Sequence, residues 1–194
     1  MNILPKAKFG LNENVEYQLR DSNGNLKQLF QPNKFYMWLL KKGLVSPNLT
    51  SPLFGHFSTK LVISNLITTV GVAGIAARIN GSGSPAAYTY IALGVGTAAA
   101  ADADTQLASE ITTSGGARAS ASVSVVTTDS AGDTAQLQNT FNFTEGGTFA
   151  ITESGVLNAA STGTLLARQV FSAINVASGD SLQVTWKFDV DTAA

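Results

Sequence analysis

Apolar and polar residues alternate most cleanly near the C-terminus. Leu182, Val184, Trp186, Phe188 and Val190 fall on one side of an extended chain, and Gln183, Thr185, Lys187 and Asp189 on the other. Successive strand side chains point to opposite faces, so this rhythm predicts a strand with one buried face. It recurs over Ala135–Thr144, where Leu137, Phe141 and Phe143 oppose Gln136, Gln138, Thr140 and Asn142. Ala117–Val126 sets Ala119, Ala121, Val123 and Val125 on one face, and Tyr88–Leu93, Phe149–Leu157 and Leu165–Phe171 read as further strands. Turn residues separate these runs at Asp129–Asp133, Glu145-Gly146-Gly147, Ser161-Thr162-Gly163 and Ser178-Gly179-Asp180. Half-apolar strands at this spacing predict a mainly β fold, an antiparallel β-sandwich or jelly-roll-like barrel.

The N-terminal third follows other rhythms. Val15, Tyr17 and Leu19 alternate with Glu16, Gln18 and Arg20, and Asn23-Gly24 then precedes Leu26–Gln31. Asn-Gly suits a tight hairpin turn, so the segment predicts an N-terminal β-hairpin. Asn33 is placed to cap a short helix through Phe35, Tyr36, Met37, Trp38, Leu39 and Leu40, with Lys41, Lys42 and Gly43 at its end. Residues 44–60 carry Pro47 and Pro52 and no sustained period. Over Ser64–Ile79, Leu66, Val70, Ala73 and Ala77 lie at helical spacing, which favours a small-residue helix packed closely on a sheet. Asn80-Gly81-Ser82-Gly83-Ser84-Pro85 stops it. Thr97–Ala103 leads into Asp104–Ile111, read as a loop with at most one helical turn. The chain divides in this reading into an extension, residues 1–60, and a sandwich domain, residues 61–194.

Composition changes the picture in one respect. Only 13% of the 194 residues are charged, against a typical value of about 25%. A surface of Ser, Thr, Asn, Gln, Gly and Ala loses little hydration when a partner covers it, which favours assembly. Net charge is −1, so bulk charge attracts neither nucleic acid nor an anionic membrane. Residues 1–60 hold eight Lys and Arg against three Asp and Glu, and residues 61–194 hold four against ten. Lys41-Lys42 is the only basic pair, which suits a helix end better than a phosphate clamp. Cysteine is absent, which excludes disulfides and thiolate metal sites. Met1–Phe9 does not read as a signal peptide. Leu61–Ile79 is the one candidate for a membrane span, and Ser64, Asn65, Thr68, Thr69 and Arg78 argue against it.

Candidate chemistry is sparse. The single histidine, His56, leaves no set for a hydrolase triad or an ordinary zinc site. Asp102, Asp104 and Glu110 form the best carboxylate cluster, read as solvated loop acids with Asp104 as a helix N-cap. Glu145 and Glu153 make a weak glycosidase-like pair. Gly94-Val95-Gly96 lacks the third glycine and the lysine of a phosphate loop and reads as a turn. Asn48-Leu49-Thr50 and Asn142-Phe143-Thr144 fit a glycosylation pattern by chance. No catalytic, cofactor-binding or metal residue is expected. Consecutive large apolar residues cannot share one helix face, so some of Phe35, Tyr36, Met37 and Trp38 must meet the sheet or another chain. Phe35, Tyr36, Trp38, Lys41 and Lys42 are the candidate partner-contact residues.

Several segments together resemble small structural proteins of tailed bacteriophages. They are Asn65-Leu66-Ile67-Thr68-Thr69-Val70-Gly71, Tyr90-Ile91-Ala92-Leu93-Gly94-Val95-Gly96-Thr97 and Asp104-Thr105-Gln106-Leu107-Ala108-Ser109-Glu110-Ile111. Thr152-Glu153-Ser154-Gly155-Val156-Leu157-Asn158, Leu166-Ala167-Arg168-Gln169-Val170-Phe171 and Gly179-Asp180-Ser181-Leu182-Gln183-Val184-Thr185-Trp186 complete them. The resemblance spans roughly residues 61–190, and residues 1–60 match more loosely. It implies a non-enzymatic virion protein, assembled in the bacterial host cytoplasm, that forms a homo-oligomer such as a trimer or ring. Its expected partners are its own copies and the major capsid protein, which it would decorate or cement. The alternatives are a tail, collar or fibre-anchoring adaptor contacting a tail or portal-proximal protein, and a carbohydrate-binding sandwich stacking sugars on Trp38, Tyr88, Tyr90 or Trp186.

Overall fold

The computed structural model describes residues 8–83, 85–144 and 146–193, with side chains placed from Asn14 to Val190 within them. Alternation builds the strands of two antiparallel five-stranded sheets. Sheet one comprises β1 (Lys8–Arg20), β4 (Leu61–Ser64), β8 (Ser122–Val126), β9 (Thr134–Asn142) and β12 (Ser181–Ala193), in the order β4-β1-β12-β9-β8. Sheet two comprises β5 (Leu66–Ile67), β6 (Tyr90–Gly94), β7 (Ala119–Ser120), β10 (Phe149–Leu157) and β11 (Leu165–Val176), in the order β5-β11-β10-β6-β7. A small third sheet pairs β2 (Leu29–Pro32) with β3 (Gly55–Ser58).

Between the sheets lies one apolar core. Val15, Tyr17, Leu19, Leu137, Phe141, Leu182, Val184, Trp186 and Phe188 enter it from sheet one. Ile91, Leu93, Ile151, Val156, Phe171 and Ile174 meet them from sheet two. Each fully buried large side chain contributes about 1.5–3 kcal/mol. The Tyr17 ring lies 4.4 Å from that of Phe171, and its hydroxyl is 2.6 Å from Ser154 Oγ. Burial pushes the Tyr17 phenol well above its ordinary value, against the lowering effect of the Ser154 hydrogen bond. The mainly β sandwich expected from the sequence is the architecture observed.

Several local expectations change. The Asn23-Gly24 turn forms, with the Asp21 carboxylate accepting from the backbone of Asn23 and Asn25, but it joins no long hairpin. β1 pairs with β12 along its length and with β4 on its other side, so residues 8–20 are an interior strand of sheet one. β2 turns away to pair with β3. Hydrophobic alternation sets which face of β1 is buried, but not which strand it pairs with. Val190 is in phase with the core yet 44% exposed, because it lies near the sheet's end.

Among the described residues two helices complete the fold. Helix α1 (Lys34–Lys41) is capped by the Asn33 side chain, which accepts from the Tyr36 amide. Helix α2 (Thr69–Asn80) begins at Thr68, whose hydroxyl accepts from the Gly71 amide and donates to the Leu165 carbonyl. This segment was expected to pack closely on a sheet, and it lies against β11. Contact runs through Gly71, because a Cβ there would sit 2.2 Å from the Leu166 carbonyl oxygen. Gly71 is the buried residue of the helix, Val70, Gly74, Ile75 and Ala77 are half-buried, and Ala73 is exposed. Residues 61–67, at the start of the membrane-span candidate, form two short strands, and among the described residues no helix is long and apolar enough to cross a membrane.

Candidate functional site

Strands β10 and β11 are buried on both faces. Their outer side, expected to be solvated, is covered by the loop 95–111 and by α1. A register shift between Ile151 and Glu153 breaks the alternation of β10. A bulge re-aims the side chains around it. Ile151 consequently stays in the core, while Glu153 turns outward beneath the loop.

Glu153 is wholly buried and its carboxylate is fully engaged. Oε1 accepts from the amides of Gly96 at 3.0 Å and Ser109 at 2.7 Å. Oε2 accepts from the Ala108 amide at 3.0 Å and from Arg168 Nε at 2.8 Å, with Nη2 of the same guanidinium also 2.8 Å away. Arg168, 2% exposed, also donates through Nη1 to Asp104 Oδ2 at 2.7 Å and through Nη2 to the Ala98 carbonyl at 3.0 Å. Thr152 Oγ1 donates to the Gly96 carbonyl at 2.8 Å. Such a network is tolerated in a low-dielectric interior because every lone pair and N–H finds a partner.

Gly94 and Gly96 make this approach feasible. A Cβ would fall 2.5 Å from Glu153 Oε1 at Gly94 and 2.3 Å from it at Gly96. The Gly-Val-Gly segment thus lies against a carboxylate, and its missing side chains make room for that group. Asp104 caps no helix. Its carboxylate accepts from the Ala101 amide at 2.9 Å and from Arg168.

Of the suggested carboxylate cluster, Asp102 is exposed and the other two members go to different arginines. Asp104 pairs with Arg168, whereas Glu110 holds Arg118 in a fork, Oε1 to Nε at 2.9 Å and Oε2 to Nη2 at 2.6 Å. Arg118 Nη1 also donates to the carbonyls of Ala159 and Thr162, which ties the β10–β11 turn to the loop. Among the described residues no group of three or more histidine, aspartate or glutamate side chains is placed to hold a metal ion. Glu145 of the glycosidase-like pair lies outside the described residues, and Glu153 has its oxygens already occupied. His56 is exposed on β3.

A different kind of surface surrounds α1. Tyr36 and Leu40 are buried against Val170 of β11, and Phe54 packs beside them. Phe35 and Trp38, on the opposite side, are 58% and 52% exposed. Their rings stack with centroids 6.2 Å apart, and Phe35 stacks on Phe54 at 6.3 Å. Lys34, Lys41 and Lys42 are exposed around them. A cleft of about 420 Å³ runs beside this helix, lined by Gln31, Lys34, Met37, Trp38, Lys41 and Val62. Four of the five candidate contact residues, Phe35, Trp38, Lys41 and Lys42, are therefore at the surface. Tyr36 is not: it is wholly buried, and its hydroxyl donates to the Ser46 carbonyl at 2.9 Å.

Sequence reasoning passed over Glu153 and Arg168 as a pair. The signal was available, since a turn at Ser161-Thr162-Gly163 brings opposite charges on adjacent strands together across the hairpin. Among the sugar-stacking candidates, Trp186 is wholly buried, Tyr88 and Tyr90 are half-buried, and Trp38 is open to solvent. Compared with known proteins, the chain matches no family model, no curated protein and no solved structure.

Proposed function

We propose that this chain is a non-enzymatic structural protein of a tailed-phage virion, which decorates or cements the capsid through contacts with its own copies and with an acidic face of the shell. The observation that carries this reading is the exposed Phe35–Trp38 stack, backed by the half-buried Phe54 and ringed by Lys34, Lys41 and Lys42 on a sandwich of low charge. Aromatic side chains anchor interfaces because they bury much apolar area at little entropic cost, and the surrounding lysines steer an acidic partner. The buried carboxylate network supports a binding role, since Glu153 has no free lone pair left for proton transfer. The resemblance of residues 61–190 to phage structural proteins points the same way.

The test is to locate the chain on purified particles by electron microscopy and quantify its copies by mass spectrometry. Hundreds of copies across the shell are expected. A few copies at one vertex would replace decoration with the tail or collar adaptor, and absence from the particle would overturn both. A glycan-binding role draws on one specific observation, the exposed Trp38 ring beside the cleft that contains Gln31 and Lys41. A glycan-array signal lost in Trp38→Ala would favour that role over a protein contact.

A further inference from the structure

The lateral edges of the two sheets are treated unequally. The edge of β4 is occupied: Gln31 Oε1 accepts from the Val62 amide at 2.8 Å, and Gln31 Nε2 donates to the Val62 carbonyl at 2.9 Å. β5 and β7 are two residues long, too short to template another strand. β8 is five residues long, lies at the edge of sheet one, and reads Ser-Val-Ser-Val-Val. It has no charge, no proline and no bulge, the features by which natural proteins blunt an open edge.

Val123 and Val125 sharpen the contrast. Their sequence phase places them on the core side, and they pair with Leu137 and Ala135 of β9, of which Leu137 is buried in the core. Yet Val123 is 58% and Val125 is 70% exposed. Sheet two ends at the two-residue β7, so nothing in the described chain covers them. Ala135 and Leu137 also line an apolar groove of about 290 Å³ with Ile75, Tyr88, Phe188 and Val190. Sheet one therefore overhangs its partner, leaving core-phase valines beside an unpaired backbone edge.

We infer that β8 pairs antiparallel with β8 of a second copy, joining two sheets one into a continuous sheet. This pairing rests on the self-associating reading above and names the edge through which copies meet. The occupant is chosen by self-complementarity. A two-fold axis through Ser124 sets Val123 of each copy beside Val125 of the other on the core-facing side. No like charges face one another across the junction, and each copy carries a net charge of only −1. Backbone groups supply the direction, and the paired valines cover one another's overhang.

The absence of cysteine makes the test clean. In the full chain carrying Ser124→Cys, the two-fold axis brings the new thiols together. Paired strands hold opposite Cα atoms about 4.5–5.5 Å apart, inside the range of about 4.4–6.8 Å that a disulfide spans. Mild oxidation should give a covalent dimer, while the exposed control Ser161→Cys should not. Val125→Lys, which puts charge on the edge, should halve the mass measured by sedimentation for the wild-type dimer contact, with an unchanged circular dichroism spectrum. A Ser124→Cys variant that crosslinks no better than the control overturns the pairing. So does an oligomer whose mass survives Val125→Lys, in which case copies meet elsewhere and the virion reading stands. The crosslink alone decides the matter if Val125→Lys does not fold. Failure of the virion reading has a different signature, the absence of the chain from purified particles.

Discussion

The loop 95–111 and the lobe formed by β2, α1 and β3 both lie against the outer face of sheet two, and different forces hold them there. Beneath the loop, Glu153 and Arg168 are withdrawn from water and bonded to backbone amides, backbone carbonyls and Asp104. Beneath the lobe, Tyr36 and Leu40 press on Val170, and the aromatic packing continues outward through Phe54 to Phe35 and Trp38. A buried ion pair tolerates no unsatisfied neighbour, so the loop's polar groups are consumed in holding it down. Apolar packing has no such valence limit, and the lobe retains a surface available to a partner. Polarity in this protein thus marks where the chain holds itself, and exposed aromatic surface marks where it can hold something else.

The largest expected effect comes from breaking the charged side of this contrast. Glu153→Ala leaves Arg168 with Asp104 as its remaining carboxylate and three loop amides without their acceptor, and should cost about 3–5 kcal/mol. Chemical denaturation measures the loss, and hydrogen exchange should show lost protection at Gly96, Ala108 and Ser109 first. A stability unchanged by the substitution would mean the loop is held by Leu107, Ile111 and the Glu110–Arg118 fork.

Gly96→Ala probes the same attachment from above. Its Cβ would meet Glu153 Oε1, and overpacking of this kind costs about 1–3 kcal/mol. An equal substitution at Gly43, which has open space around it but a φ of +67°, separates backbone strain from crowding. The melting temperature of Gly96→Ala should fall even though its φ is not in the left-handed region.

Alkaline pH tests the sheet-to-sheet contact that both regions depend on. Tyr17 has its folded-state pKa raised above the ordinary value of 10.0, chiefly by burial. Its contribution is complete below pH 10 and declines as pH rises towards the folded value, because only the unfolded state ionises readily there. Stability should fall by about 1.4 kcal/mol per pH unit above that point. Tyr17→Phe should remove this part of the slope, as read from denaturation at successive pH values.

The smallest effect on folding is expected at the exposed lobe. Trp38→Ala should change stability by about 0.5 kcal/mol or less, while weakening attachment to the particle at least tenfold if Trp38 is an interface anchor. Equal stability and equal attachment would remove the aromatic stack from the proposed contact.

Much of the fold was legible as periodicity. β9 and β12 were readable because one face is apolar and the other polar, and Asn33 announced α1 because an N-cap needs a short side-chain acceptor. The candidate site was legible only in part. Phe35, Trp38, Lys41 and Lys42 stand at the surface, and the same stretch gave no means of telling that Tyr36 turns inward. Glu153 was read as half of a carboxylate pair and not as the partner of Arg168, because a charge on a strand reads as solvated unless the strand beside it is known.

By itself, the sequence determined the strand rhythm, the turns and the poverty of charge, since each follows from neighbours along the chain. Tertiary structure alone decided that β1 lies between β4 and β12, that a bulge turns Glu153 under the loop, and that β8 overhangs the second sheet. These three outcomes depend on which strands meet and where each sheet ends. A side-chain period of two fixes a strand's faces, but leaves its neighbours to the packing of the whole molecule.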